Sequence, residues 1–203
     1  MKKVILSILI LLSIPVVVYM GFYIYAVYLY EADPLTQAYI EEEDHRKKME
    51  LLERKLNNDE YERWAWLDDA AELAYEIGAY EKAKEYSLES LSLSGEYVNN
   101  WNYGNSIHNA NMVLGRLSLK DGEIENAKEY LLKSAQSKGS PQLNTFGPSL
   151  ILAKELLEIG EKDVVVKYLH SVSTFWEMDN GCVSRLINEI ENNNPPVFCN
   201  CGC

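Results

Sequence analysis

Positive charge is scarce in this 203-residue sequence, which carries 19 Lys and Arg residues against 31 Asp and Glu residues. Lys2 and Lys3 are the only charged side chains before Glu31. The remainder of the chain therefore holds seventeen basic and thirty-one acidic residues, a net charge of −14. Such a surface repels phosphate backbones and anionic lipid headgroups, so we expect no nucleic-acid partner.

Motifs that carry chemistry are also lacking. The sequence contains no GxSxG, no phosphate-binding glycine loop, no dinucleotide fingerprint and no HExxH. The three histidines, His45, His108 and His170, lie far apart and have no paired ligand spacing. We therefore expect a protein that is not an enzyme and that holds no cofactor.

One long apolar run begins the chain. Residues 4–30 are twenty-seven uncharged, mostly apolar positions, and about 20 suffice to span a bilayer. The two lysines before the run favour a cytoplasmic N-terminus. We predict a cytoplasmic tail at 1–3, a transmembrane helix at 4–30 and everything beyond it outside the cytoplasm. The lack of glycosylation sequons favours the periplasmic side of a bacterial inner membrane. The alternative is a signal peptide cleaved after Ala26.

Beyond the predicted anchor, residues 31–60 are interpreted as a charged helical stalk. Acidic and basic side chains are dense here, with apolar residues at helical spacing between positions 41 and 57. Too few turns carry that spacing for a coiled coil. We expect a solvated helix that holds the following domain away from the membrane.

An internal repeat then appears. The nine residues from Gly78 to Tyr86 recur from Gly122 to Tyr130 with six identities, and a weaker copy starts at Gly160. Periods of 44 and 38 residues, between these glycines, indicate stacked helical units. Each glycine suits a helix C-terminus, so the predicted unit is helix, tight turn, helix.

These units resemble the tetratricopeptide repeat family, with small residues such as Ala71, Gly115 and Ala153 in the first helix and a small residue early in the second. Val165 departs from that pattern in the third copy, and the periods exceed the family's 34 residues. The resemblance implies an all-α fold: a transmembrane helix followed by a TPR-like α-solenoid over residues 61–191. We expect residues 183–191 to form a final capping helix.

In this family the first helices line a groove that binds peptides or partner helices. By resemblance the groove residues are Asp68, Glu72, Tyr75, Glu76, Met112, Arg116, Lys120 and Lys154. Their charges would make the groove acidic at one end and basic at the other.

Two predicted loops, 95–106 and 139–148, account for the excess length, and insertions of this kind often lie on the binding side. Trp101 and Tyr103 stand among asparagines and glycine in the first loop. Amphipathic rings in loops are suited to contacts, so these two are candidate partner-binding residues.

The chain ends in a linker and cysteine-rich tail, residues 192–203. Cys199, Cys201 and Cys203 alternate, and Cys182 lies upstream. Disulfides that include Cys182, or a thiolate site for a soft metal ion, are both compatible with four cysteines outside the cytoplasm. The predicted function is a membrane-anchored adaptor for a protein or peptide partner. The alternative is a thiol–metal or redox protein acting through the tail. The oligomeric state stays open.

Overall fold

The described part of the chain is entirely helical. The computed structural model describes residues 34–198, with side chains from residue 41 onward. Helices and no strand occur within those residues, which confirms the predicted all-α fold for them. Residues 1–33, with the predicted tail and transmembrane helix, and Cys199, Cys201 and Cys203 lie outside the described residues. No helix within 34–198 combines the length and apolarity needed to cross a membrane.

Nine α-helices follow one another along residues 34–198. They are α1 (Pro34–Leu56), α2 (Glu60–Glu76), α3 (Tyr80–Ser94), α4 (Tyr103–Lys120), α5 (Ile124–Ser134), α6 (Pro141–Phe146), α7 (Ile151–Glu158), α8 (Lys162–Val172) and α9 (Cys182–Glu191). A 3-10 helix, Gly95–Tyr97, follows α3. The chain divides into two compact units at residue 48. In the first unit, Glu43 pairs with Arg46 at 2.7 Å and with Lys47 at 3.3 Å.

The same glycine turn joins three pairs of helices: α2 to α3, α4 to α5 and α7 to α8. Gly78, Gly122 and Gly160 have φ angles of +78°, +79° and +92°. The residue after each glycine donates its N–H to a carbonyl five positions earlier, as from Ala79 to Ala74 at 2.8 Å. This bond closes the helix end in a Schellman turn, which favours glycine at the left-handed position. The predicted helix–turn–helix units are therefore present.

Small residues let the paired helices approach closely. Ala83 and Ala127, near the starts of α3 and α5, are completely buried. A Cβ atom on Gly115 would lie 2.2 Å from Leu152 Cδ2, so a larger residue there would force the Leu152 side chain between α4 and α7 to move. Val165, which departs from the small-residue pattern, is completely buried in α8. The core tolerates it because the neighbouring side chains form one apolar cluster.

The end of the predicted stalk, residues 49–56, is not a solvated helix but packs into the core of the second unit. Met49, Leu52 and Leu56 are buried and belong to one apolar cluster with Leu67 and Ala71 of α2. The last two turns of α1 are therefore part of the core, because their apolar residues recur every three or four positions and face α2. The final helix, predicted at 183–191, is confirmed to within one residue.

The two predicted loops are partly helical. Tyr103 begins α4, so the first loop is shorter than predicted. In the second, Ser140 Oγ accepts the N–H of Leu143 at 3.0 Å and Pro141 occupies the first turn of α6. A serine cap followed by proline is a helix-start signal that outweighed the turn formers around it. Helix α7 begins at Ile151, three residues after Pro148.

Candidate functional site

The residues predicted to line a groove do not form one open charged surface. Asp68 and Met112 are buried, at 3% and 4% exposure, so neither can contact a partner docked on the surface. The resemblance to tetratricopeptide repeats suggested both positions, but the fold buries them. Glu72 and Glu76 are exposed on α2, and Lys154 of α7 lies 4.0 Å from Glu158.

Arg116 is held inside the molecule by residues of two other helices. Its guanidinium lies over the ring of Tyr75 at 4.2 Å and bonds the carboxylate of Glu155 through Nη2 at 2.9 Å and Nε at 3.0 Å. Its side chain is only 19% exposed. Lys120 likewise lies over the ring of Tyr80 at 4.5 Å. Arg116 and Lys120 are thus engaged in contacts that link α4 to α2, α3 and α7.

A cleft of about 670 Å³ lies between the two segments predicted as loops. One wall consists of residues 98–101 and Tyr103, and the other of residues 136–141 and Asn144. We call this site the Trp101 cleft. Trp101 is 56% exposed and Val98 is 54% exposed, so the cleft presents apolar surface to solvent. The structure therefore places both predicted loop residues, Trp101 and Tyr103, at one site.

The two walls are fixed to each other by a close backbone approach. A Cβ atom on Gly104 would lie 2.1 Å from the carbonyl oxygen of Gly139, which leaves room for glycine alone. Beside it, Ser140 Oγ donates to Asn105 Oδ1, and Asn105 Nδ2 donates to Asn102 Oδ1 at 2.8 Å. This hydrogen-bonded chain ties the start of α4 to the start of α6.

His108 anchors the second wall to the core. Its Nε2 accepts the backbone N–H of Ser149 at 3.0 Å, and its Nδ1 lies 3.2 Å from the carbonyl oxygen of Ser134, to which it donates. The ring is completely buried, and this burial lowers its pKa to about 4. A neutral ring therefore joins both ends of the segment that carries residues 136–141. Tyr168 Oη extends the network by donating to Ser149 O at 2.9 Å.

Other polar side chains of the cleft are not used by the fold. Within the described residues, no hydrogen bond or ion pair engages the side chains of Asn99, Gln136 and Lys138, all of which line the cleft. By contrast Asn100 Oδ1 accepts the N–H of Asn102 at 2.9 Å. The site thus combines a fixed backbone frame with exposed polar side chains that make no hydrogen bond within the described part of the chain.

Sequence reasoning missed Gln136 and Lys138, because they follow α5 and carry no motif. It also missed the role of Gly104 and Gly139, whose contact spans thirty-five positions. The signal that was present is the mixture of asparagine, serine, glycine and aromatic residues in both segments, a composition typical of protein-binding loops.

Cys182 begins α9, is buried and is disulfide-bonded. The other three cysteines lie outside the described residues. Residues before them pack on α9, since Arg185 Nη2 donates to Val197 O at 3.0 Å and Phe198 contacts the core. Among residues 34–198 no three His, Cys, Asp or Glu side chains are grouped as metal ligands would be.

Comparisons with protein-family models, with curated proteins and with solved structures found no match to this chain.

Proposed function

We propose that this chain is a membrane-anchored, TPR-like adaptor that binds a protein or peptide partner through the Trp101 cleft, on the extracytoplasmic side of the membrane. The observation that carries the proposal is a half-exposed tryptophan on one wall of a cleft whose two walls are fixed to each other. Tryptophan and tyrosine dominate the energetics of protein interfaces, and a pre-organised wall lowers the entropic cost of binding.

The composition of the cleft supports partner binding over catalysis. No carboxylate is among its described lining residues, and Lys138 is the only cation among them. A general acid–base pair or a nucleophile with its base would need titratable groups within hydrogen-bond reach. Amides, hydroxyls and aromatic rings instead provide adaptable contacts to another chain.

The groove on the first helices is a weaker candidate. Arg116 and Glu155 satisfy each other there, so a charged partner would have to break an internal pair. Charge complementarity in that groove therefore offers little affinity, and the cleft carries the proposal.

Photo-crosslinking in the source cells tests this function. A photoreactive amino acid placed at Asn99, on the cleft, should give a discrete adduct with one partner, whereas the same group at Leu88, an exposed position on α3, should not. Adding Trp101→Ala to the Asn99 reporter should abolish the adduct. Equal labelling from both positions, or an adduct that survives the loss of Trp101, would contradict the proposal.

A further inference from the structure

We infer that the Trp101 cleft binds an extended, uncharged peptide segment containing proline, with a proline ring against the indole of Trp101. The inference rests on the proposed function, because it specifies the chemistry of the partner at the same cleft.

The available polar groups favour an extended backbone. Asn99 and Gln136 each present one amide that both donates and accepts, from opposite walls of the cleft. An α-helical ligand uses its backbone groups in its own hydrogen bonds, so its backbone would offer these exposed amides nothing. A strand would need a sheet edge, and residues 34–198 contain no strand. A polyproline II segment keeps its carbonyl groups free for such amides.

The apolar surface favours proline. Trp101 and Tyr103 on one wall face a cleft whose other wall includes Pro141. Aromatic-lined grooves bind proline-rich segments because the polyproline II helix is already formed and loses little entropy on docking. Trp101 exposes more than half of its surface, enough for its flat indole to pack against a pyrrolidine ring.

Charge selects against acidic and basic segments for different reasons. The chain beyond residue 30 has a net charge of −14, which opposes the approach of an acidic segment although one cation, Lys138, lines the cleft. A basic segment would be drawn to the protein, but the described lining of the cleft offers it no carboxylate. An uncharged segment meets neither obstacle. The volume, about 670 Å³, lies within the range of about 300–1,000 Å³ typical of ligand sites.

Fluorescence anisotropy with the purified full chain in mild detergent tests the inference. The probes are two dye-labelled, uncharged peptides of equal length, one alternating proline with alanine and one of glycine and serine. We expect the proline peptide to bind about tenfold more tightly, and Trp101→Ala to remove that binding. Because the contacts are uncharged, affinity should change less than about twofold between low and high salt.

Phe146→Ala is the matched control. Phe146 is an aromatic residue of α6, 68% exposed and outside the cleft lining, so its loss should leave proline-peptide binding unchanged. Far-ultraviolet circular dichroism confirms that both variants remain helical. Equal affinity for the two peptides, no binding of the proline peptide, or its displacement by a neutral oligosaccharide would overturn the inference. If the Asn99 crosslink persists while the proline peptide fails, the inference is wrong and the proposed function stands; if the crosslink also fails, both are wrong.

Discussion

The buried carboxyl of Asp68 should make the protein lose stability as pH rises through neutrality. Asp68 is 3% exposed on α2; its Oδ2 accepts one hydrogen bond from Asn109 at 3.0 Å, and its Oδ1 has no partner among the described residues. Burial, with a smaller contribution from the charge of Asp69, raises the pKa of Asp68 from 3.8 to about 7. The folded state therefore favours the protonated carboxyl.

The direction and size of this pH dependence of stability follow from proton linkage. Below pH 3.8 the carboxyl is protonated in both states, and its contribution to stability is fully present. Between pH 3.8 and about 7 the folded chain binds more protons, so stability falls as pH rises. A shift of about 3 units corresponds to about 4 kcal/mol in total, of which about 2 to 3 kcal/mol falls between pH 5 and pH 8.

Asp68→Asn removes the titration and keeps an oxygen that accepts from Asn109. The variant's free energy of unfolding, relative to the natural chain, should therefore rise by about 2 to 3 kcal/mol between pH 5 and pH 8. Urea unfolding of the full chain, followed by tryptophan fluorescence at several pH values, measures this difference. Glu76→Gln, an exposed carboxyl at the end of the same helix, is the control and should run parallel to the natural chain. Parallel curves for Asp68→Asn as well would refute the reasoning.

Three further experiments test the frame of the cleft and the core. Gly104→Ala should destabilise the protein by about 1 to 3 kcal/mol in urea unfolding, because its Cβ has no room, whereas Gly95→Ala, whose Cβ meets nothing within 4 Å, should not. The imidazole of His108, followed by NMR in a variant without the other two histidines, should stay neutral down to about pH 4. The stability that the neutral ring confers is lost as pH falls through 6.5 toward 4. Protonation near pH 6.5 would contradict its burial. Arg116→Lys should lower the free energy of unfolding by about 1 kcal/mol in thermal unfolding, because lysine keeps the charge but loses the paired hydrogen bonds to Glu155 and the stacking on the ring of Tyr75. An unchanged midpoint would show that geometry at this site is unimportant.

Local signals predicted much of the helical architecture. Gly78, Gly122 and Gly160 marked three helix ends because a left-handed residue there favours glycine whatever the rest of the fold does. Alanines early in the second helices likewise predicted close helix packing, because a small side chain lets a neighbouring helix approach. Helix α6 was missed although Ser140 and Pro141 signalled it, because the short segment lies among turn-forming residues.

The candidate groove shows where the family resemblance is insufficient. It placed Asp68 and Met112 in a groove lined by first helices, yet could not tell whether these positions face solvent or another helix. Arg116 was likewise assigned as an available cation, although Glu155, thirty-nine positions later in the chain, neutralises it. Pairings across such separations depend on how hairpins stack, and sequence spacing within one helix contains no information about that.

By itself, then, the sequence determined the helix–turn–helix units and the composition of the two segments that line the Trp101 cleft, because both depend on residues close together in the chain. Only the tertiary structure decided that these segments meet. Gly104 and Gly139 touch because the packing of α4 on α5 brings the start of α4 next to the segment that follows α5. A cleft between distant segments exists only once the helices have packed, and packing is a property of the whole core.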